Sequence, residues 1–305
     1  MLNLIDISTK ISDLELENPT ILASGLMDED AESMKRILRS GAAAVVTKSI
    51  GLEPNEGYPN PTAIELEHGI LNAMGLPNPG IEKFKDEIKK LSSLDVTVIG
   101  SIYGSNAEEF REIAEKMQQS GAKAIELNLS CPHAKKCGLE VGSDPKIVEN
   151  ICTKTKKSVD IPVFAKISPN LNNVVEIAEA AEEGEVDAIV AINTVKAMKI
   201  NLEFQKPVLY NKIGGYSGGG VKPIGVRCVY EIFKNVDIPV IGCGGVLNGL
   251  DALEYFMAGA SAVEIGSGIY YRDLEIFKEI CKEIKGWMKK NDFQTLTEII
   301  GSAHK

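Results

Sequence analysis

Short apolar runs rich in β-branched residues recur along the chain, and stretches with helical periodicity separate them. Runs of this length and composition, bounded by polar or glycine residues, are typical of buried strands. Eight of them predict strands: Ile21–Ser24, Ala44–Lys48, Val96–Gly100, Ala124–Asn128, Val163–Ile167, Ala188–Asn193, Val240–Gly244 and Val263–Gly266. Strands that alternate with helices form parallel sheets of βα units. The pattern therefore predicts an α/β fold, a single (β/α)8 TIM barrel with long loops at its C-terminal face.

Capping residues mark where several of the intervening helices begin and end. Asn106 precedes acidic residues and an apolar repeat, and Asp144–Pro145 places a proline at the first helical position, so both predict a helix start. Gly41, Gly121 and Gly259 each follow a helical pattern and precede an apolar strand, which predicts a helix stop. Helix, glycine and strand thus repeat in register with the predicted barrel.

Composition narrows the class of protein. The 305 residues are 44% hydrophobic and 25% charged, which is typical of a globular protein, and no Pro/Ser-rich linker interrupts them, so we predict one domain over residues 1–305. The net charge of -10 disfavours binding to a nucleic-acid backbone. No signal peptide or membrane-spanning apolar run is recognisable, which predicts a cytoplasmic protein without a membrane partner.

Three connections are longer than barrel loops need to be: residues 49–81, 132–144 and 194–221. Each leaves the C-terminal end of a strand, where barrels carry their active sites, so we expect lids there. The same argument selects the residues that end the predicted strands: Ser24, Lys48, Asn128, Lys166, Asn193, Gly244 and Gly266.

Two glycine-rich loops follow the seventh and eighth predicted strands, at Gly242–Gly245 and Gly266–Gly268. Glycines let backbone N–H groups approach a phosphate, and barrels often bind phosphate at these two loops. The alternative is that they only form tight turns. FMN, a sugar phosphate and a nucleotide would all fit.

Lysines and amides add candidate binding groups. Lys48 and Lys166 end apolar strands, where a cation needs an anionic partner such as a carboxylate, a phosphate or a reduced flavin. Salt bridges to acids at the barrel end, or a Schiff-base lysine, are the alternatives. The amides of Asn72, Asn128 and Asn193 suit the edge of a pyrimidine or an isoalloxazine, although each is also an ordinary turn residue.

The segment Asn128–His133 offers a thiol at the barrel mouth, Cys131, which can serve as a nucleophile or general base. A buried cysteine that only fills space is the alternative. Cys131, His133 and Cys137 match no zinc spacing, so no metal is predicted. The six cysteines include no Cys-x-x-Cys pair, and the chain thus offers no evident iron–sulfur ligand set.

In combination these motifs resemble the class 1 dihydroorotate dehydrogenases, over Leu14–Tyr271. The segments that carry the resemblance, in the family's order and spacing, are Leu71–Asn78, Asn128–Pro132, Lys166–Asn170, Ile192–Thr194, Gly218–Pro223 and Gly242–Gly245.

The resemblance implies an FMN enzyme that oxidises dihydroorotate to orotate in pyrimidine (UMP) biosynthesis. Cys131 would be the general base, and Lys166 would stabilise the negative charge of the reduced flavin. The substrate would be bound by Lys48, Asn72, Ala73, Met74, Gly75, Leu76, Asn128, Asn193 and Thr194. The cofactor would be bound by Ser24, Lys48, Ser49, Asn128, Lys166, Ile192, Gly218, Gly244, Gly245, Gly266 and Ser267. One departure is His133, which stands where the family has Asn.

The overall pattern is more similar to the class 1B branch, which passes electrons to NAD. The resemblance then implies a partner subunit carrying FAD and a 2Fe-2S cluster, a dimer of this chain, and a heterotetramer with two of each chain. The alternatives are a fumarate-reducing class 1A homodimer and a flavin-free phosphate-binding lyase that uses Lys166.

Overall fold

The computed structural model describes residues 5–129, 141–171 and 173–305 of the chain. In these ranges the strands are β1 (Thr9–Ile11), β2 (Leu14–Leu16), β3 (Thr20–Leu22), β4 (Ala44–Val46), β5 (Ala63–Leu66), β6 (Gly69–Asn72), β7 (Thr97–Ile102), β8 (Ala124–Asn128), β9 (Val163–Ile167), β10 (Ala188–Ala191), β11 (Val195–Ala197), β12 (Ile200–Asn201), β13 (Lys206–Pro207), β14 (Gly214–Ser217), β15 (Val240–Cys243) and β16 (Ala260–Ile265). The α-helices are α1 (Ala31–Arg39), α2 (Ile81–Ser92), α3 (Ala107–Gln119), α4 (Pro145–Lys156), α5 (Val174–Glu183), α6 (Lys222–Phe233), α7 (Gly249–Ala258), α8 (Gly268–Arg272) and α9 (Ile276–Lys290). Short 3-10 helices cover Gly219–Val221, Leu296–Glu298 and Ser302–His304.

Eight parallel strands close into a barrel in the order β3-β4-β7-β8-β9-β10-β15-β16. They are the eight strands predicted from the apolar runs, and the predicted (β/α)8 fold class is confirmed. The ends differ by a few residues, because β16 already begins at Ala260 and β4 ends at Val46, before Lys48. The assignment of residues 1–305 to one domain stays a prediction.

The predicted helix boundaries are also confirmed. The side chain of Asn106 accepts hydrogen bonds from two backbone N–H groups at the start of α3, and Asp144 does the same for α4. Gly41, Gly121 and Gly259 have φ angles of 103°, 104° and 119°, which is the left-handed conformation that ends a helix. No helix in the described part of the chain has the length and apolarity needed to cross a bilayer.

The barrel interior is apolar in its lower half. Successive residues of a strand point alternately inward and outward, and the inward ones form one buried cluster: Ile21, Ala44, Val46, Ile99, Ala124, Phe164, Ala188, Val190, Ile241 and Ala262. The hairpin of β1 and β2 adds Ile11, Leu14 and Leu16 to this cluster. Thr9 of the hairpin donates to the carbonyl of Ser261 at the start of β16, so the hairpin lies at the N-terminal end of the barrel.

Two of the long connections fold into strands. β5 and β6, from residues 49–81, pair with β14 and β11, from residues 194–221, in an antiparallel sheet of order β11-β14-β6-β5, here called the cover sheet. It has its own small core around Leu71, Ala73 and Leu209. Two of the three connections expected to form lids thus share one sheet, and the lid function stays a prediction. Most of the third connection, residues 132–144, lies outside the described residues.

Candidate active site

Above the apolar half, the barrel interior becomes polar. Glu126 follows the inward-facing Ala124 by two residues, and Glu264 follows Ala262 in the same way, so strand alternation points both carboxylates into the lumen. Lys166 Nζ lies 2.5 Å from Glu264 Oε2 and 3.5 Å from Glu126 Oε2. The exposed fractions are only 5% for Lys166, 0% for Glu126 and 1% for Glu264. We call these three residues, with Cys243, the lumen cluster.

Burial and the neighbouring charges shift the pKa values of Glu126, Lys166 and Cys243. Burial raises the pKa of Glu126 well above its usual range, and the negative Glu264 beside it adds to the shift. For Lys166, burial opposes the charged form, but the carboxylates of Glu126 and Glu264 outweigh it and hold the pKa of the ammonium well above its usual value. Burial likewise raises the pKa of the Cys243 thiol to about 12. Lys166 is therefore a cation.

A chain of hydrogen bonds leads from the lumen cluster to the predicted binding residues. Ser101 Oγ donates to Glu126 Oε1 at 3.4 Å and lies 2.9 Å from Ser49 Oγ. Asn128 Nδ2 donates to Ser49 Oγ at 3.0 Å, and Asn193 Nδ2 donates to Asn128 Oδ1 at 3.4 Å. Ser24, Ser49, Asn128, Lys166 and Asn193, five residues selected from the sequence, thus lie at one end of the barrel. Ser24 Oγ is 3.5 Å from Ser49 Oγ.

Lys48 has a different environment from Lys166. It lies beyond the end of β4, and its Nζ pairs at 2.7 Å with the carboxylate of Glu29, which is 69% exposed. Both lysines thus form ion pairs with carboxylates, and their predicted binding roles stay predictions. Only Lys166 has its carboxylate partners inside the barrel, where solvent does not screen the charges.

Some of the residues predicted to bind substrate, namely Asn72, the segment 73–76 and Thr194, lie at the cover sheet. Asn72 ends β6 and its Nδ2 donates to the carbonyl of Gly215 in β14 at 3.4 Å. A side chain at Gly215 would collide with Thr194, so the backbone there passes directly against Thr194. The segment 73–76 follows Asn72, with Ala73 buried and Met74 43% exposed. Asn72 and Thr194 therefore flank the same glycine.

The glycines predicted to bind the cofactor differ in how closely other atoms approach them. Gly218, Gly244 and Gly245 have φ angles of 102°, 124° and 70°. A Cβ at Gly245 would lie 2.7 Å from the carbonyl oxygen of Gly218, and one at Gly218 would lie 2.6 Å from the Cα of Gly69. At Gly244 and Gly266, in contrast, no atom comes closer than 3.5 Å to such a Cβ. The backbones of Gly69, Gly218 and Gly245 thus pack closely together and join the cover sheet to the loop after β15.

Two further predicted cofactor residues lie near this loop. The N–H of Ile192 donates to the carbonyl of Cys243 at 2.9 Å, and the peptide bond between Ala191 and Ile192 is cis. Ser267 precedes the short helix α8, directly after Gly266. Cys131, together with the segment 130–140 that contains His133, lies outside the described residues.

Replacing Gly218 by Ala should destabilise the protein by about 2–4 kcal/mol, because the residue has a left-handed φ and no room for a methyl group. Gly286→Ala is the matched control: that glycine lies within α9, and no atom comes within 4 Å of the place where the added methyl group would stand. The control should gain up to about 1 kcal/mol from helix propensity. Urea unfolding of both variants measures the expected loss and gain in the free energy of unfolding. A Gly218→Ala variant with unchanged stability would refute the close approach of Gly218 to Gly69.

Three supporting residues were not found from the sequence. Glu126 and Glu264 are charged residues at inward positions of buried strands, and strand alternation alone could have marked them. Tyr255, fully buried in α7, donates its hydroxyl to the carbonyl of Gly244 at 2.7 Å and so supports the glycine loop. Nothing in the local sequence of Tyr255 indicates this contact.

Asp28 is a buried carboxylate in the loop after β3, where the N–H of Gly25 donates to its Oδ2. Its Oδ1 has no hydrogen-bond partner within the described chain. Burial raises the pKa of this carboxyl from 3.8 to about 6, although the Gly25 hydrogen bond and the positive Lys48 oppose the shift.

This shift predicts a pH-dependent instability. Because the folded-state pKa lies above the unfolded value, ionisation of Asp28 lowers the free energy of unfolding as pH rises through 4 to 6, by about 3 kcal/mol in full. Asp28→Asn cannot ionise, so its stability relative to the unmodified chain should increase by about that amount between pH 4 and pH 7. Urea unfolding across this range is the measurement, and a relative stability that does not vary with pH would contradict the shift.

Comparison with the sequences of known proteins shows to which family the chain belongs. The profile of the family described as "Dihydroorotate dehydrogenase" matches residues 6–288. The chain belongs to the dihydroorotate dehydrogenase family. It is similar to proteins from Methanocaldococcus jannaschii (50% identical over 303 residues, 98% of each chain), Thermoplasma volcanium (49% over 300 residues, 98% of this chain and 99% of the relative) and Pyrococcus furiosus (47% over 301 residues, 99% and 100%).

All three relatives carry the name "Dihydroorotate dehydrogenase B (NAD(+)), catalytic subunit". The resemblance to dihydroorotate dehydrogenases seen in the sequence, and to their NAD-linked branch, is thereby confirmed. The enzyme class predicted from it, a dehydrogenase of this family, is confirmed as well. The roles of individual residues are a separate matter and stay predictions.

Proposed function

We propose that this chain is an FMN-dependent catalytic subunit that oxidises dihydroorotate to orotate in pyrimidine biosynthesis. The observation that carries the proposal is the buried Lys166 cation at the barrel mouth, which is linked to the amides of Asn128 and Asn193 only through Glu126, Ser101 and Ser49. In a member of this family, such a cation beside amide groups suits a flavin and a pyrimidine substrate.

The described residues fit FMN in two respects. Gly244 and Gly266 carry no side chain, which lets a phosphate approach their backbone N–H groups. Lys166 supplies a positive charge that solvent does not screen. The proposed cofactor residues are Ser24, Lys48, Ser49, Asn128, Lys166, Ile192, Gly218, Gly244, Gly245, Gly266 and Ser267. When bound, FMN would accept the hydride that leaves C6 of dihydroorotate.

The protein's own groups have three tasks in this reaction. Cys131, as thiolate, takes the proton from C5 while the two electrons of the C6–H bond leave as hydride, so that C5 and C6 become doubly bonded. Asn72, Asn128, Asn193 and Thr194, with Lys48 and the segment 73–76, hold the pyrimidine. Lys166 stabilises the negative charge that develops in the site.

The lyase alternative, with Lys166 as a Schiff-base nucleophile, is disfavoured by the electrostatics of the lumen cluster. A Schiff base forms from a neutral amine, whereas the carboxylates around Lys166 raise the pKa of its ammonium. The ion pair with Glu264 at 2.5 Å also occupies the nitrogen that would have to attack.

The decisive experiment is an anaerobic absorbance scan of the purified chain with FMN, before and after addition of dihydroorotate. Bleaching of the flavin band is expected and would demonstrate the first half-reaction. Bound flavin that dihydroorotate does not bleach would keep the cofactor and reject the substrate, with His133 as the first residue to re-examine. A chain that takes up no FMN would favour the lyase.

For the second half-reaction we propose NAD as acceptor, reached through a partner subunit that carries FAD and a 2Fe-2S cluster. The support is the similarity to relatives named as NAD-linked catalytic subunits. The chain alone, reduced by dihydroorotate, should not reduce NAD, whereas fumarate reduction by the chain alone would favour the homodimeric alternative. The cytoplasmic location stays a prediction.

We further propose that two copies of this chain form a dimer, as the core of a heterotetramer. Support comes from an apolar surface on the connection between β11 and β14, where Leu202 is 85% exposed, Phe204 71% and Tyr210 60%. Contiguous exposed apolar surface is typical of an interface. The double variant Leu202→Lys/Phe204→Lys should sediment as a monomer, and Leu94→Lys, at an exposed residue just beyond α2, is the control that should not. A wild-type monomer would overturn the proposal.

A further inference from the structure

The two carboxylates of the lumen cluster lie at different distances from the Lys166 ammonium. Glu264 Oε2 lies 2.5 Å from the ammonium, the distance of a strong charge-assisted hydrogen bond, whereas Glu126 Oε2 lies at 3.5 Å. Ser101 Oγ also donates to Glu126, at a long 3.4 Å. The charge of Lys166 is therefore compensated mainly by Glu264.

Glu264 also interacts with two further members of the lumen cluster. Besides its ion pair with Lys166, its negative charge contributes to the raised pKa of the Glu126 carboxyl and of the Cys243 thiol. Two carboxylates that both lie near Lys166 in a buried site repel each other when both are ionised, which favours a proton on one of them. Burial and the adjacent Glu264 both favour the protonated form of Glu126, and its raised pKa agrees with that role.

The protonation pattern sets the charge of the lumen. With Glu264 ionised, Glu126 protonated and Lys166 charged, the cluster is neutral, and Cys243 keeps its proton because its pKa is about 12. These are the titratable groups of the described chain that interact with Glu126. A neutral cluster avoids the large cost of an unbalanced charge in a buried site.

We propose that Glu264 is a positioning residue that fixes the Lys166 ammonium at the barrel mouth, and that Glu126 carries a proton and contributes no charge there. The consequence of these two roles for the flavin rests on the proposed FMN function. The Lys166–Glu264 pair limits how strongly Lys166 favours the negatively charged, hydride-bearing flavin over the oxidised one.

The test compares Glu264→Gln, Glu126→Gln and the control Asp187→Asn. Asp187 pairs with Lys156 at 2.5 Å at the other end of the barrel strands, so the control removes an acid–lysine pair away from the site. Glu264→Gln removes the compensating charge and should raise the affinity ratio of reduced to oxidised FMN about ten-fold, equivalent to about 30 mV in the two-electron midpoint potential. Glu126→Gln and the control should leave the potential near that of the unmodified chain from pH 6 to pH 8. A shift in Glu126→Gln as large as that in Glu264→Gln, or no shift in either, would overturn the proposal.

A second measurement does not need the cofactor or a stable Glu264→Gln variant. Thermal unfolding of the FMN-free chain is compared for Lys166→Met combined with each Gln substitution. Lys166→Met and Glu264→Gln should be strongly non-additive, with the double variant more stable than the sum of the single losses predicts, whereas Lys166→Met and Glu126→Gln should be nearly additive. The reverse pattern would reassign the roles. If the chain binds no flavin, the proposed function fails while this cycle still decides which acid carries the charge.

Discussion

Replacing Lys166 by Met should destabilise the fold and impair flavin reduction together. The substitution leaves the ionised Glu264 beside Glu126 without a cation, in a part of the barrel where all three residues are buried. Removal of one partner of a buried ion pair costs about 3–5 kcal/mol. We expect a loss of that size in urea unfolding of the FMN-free chain at pH 7, and a large decrease in the rate of flavin bleaching by dihydroorotate.

The pH dependence separates this effect from a simple packing defect. Without Lys166 no cation balances the buried carboxylate charge, so the loss in the free energy of unfolding should be largest at neutral pH and should shrink as pH falls. Lys90→Met is the control, because its ion pair with Glu87 lies on the surface of α2, where solvent screens the charges, and its loss should have little effect on stability. A deficit that stays constant from pH 7 to pH 4 would show that the lost charge is not its origin.

Replacing Cys131 by Ala should leave FMN bound and slow its anaerobic reduction by dihydroorotate by a factor of about 10²–10⁴, the usual contribution of a general base. The role of Cys131 rests on the family resemblance of the Asn128–Pro132 segment, since the residue itself lies outside the described part of the chain. Stopped-flow absorbance after mixing with dihydroorotate gives the rate directly.

Cys281→Ala is the matched control for this variant, because Cys281 lies in α9, outside the site, and should retain the full rate. The unmodified chain should react faster as pH rises towards the ordinary thiol pKa of about 8.5, and Cys131→Ala should lose that dependence. Reduction at full speed in Cys131→Ala would assign the base to another residue.

The barrel could be predicted in detail because its signals are local. A strand of this fold shows its apolar run, and the helices show their start and stop residues at Asn106, Asp144 and Gly259, so no long-range information was needed. Lys166 was found for a similar reason, since a lysine at the end of an apolar strand is conspicuous in the sequence.

Its partners could not be paired with it from the sequence. Glu264 is 98 residues away in the chain, and β16 and β9 are not neighbours in the barrel, so their contact across the lumen depends on closure of the whole sheet. The cover sheet escaped prediction for the same reason. Its short strands are marginal by themselves, and only the pairing of β6 with β14 turns two long connections into one structure.

That pairing also bears on the order in which the protein assembles. Ile70 in β6 and Ser217 in β14 are register partners, although 147 residues separate them. Closing so long a loop costs conformational entropy. This cost is smaller after the intervening strands and helices have folded and brought β6 and β14 closer together. The entrance to the site would therefore be the last part to form during folding, and limited proteolysis should cut there before it reaches the barrel.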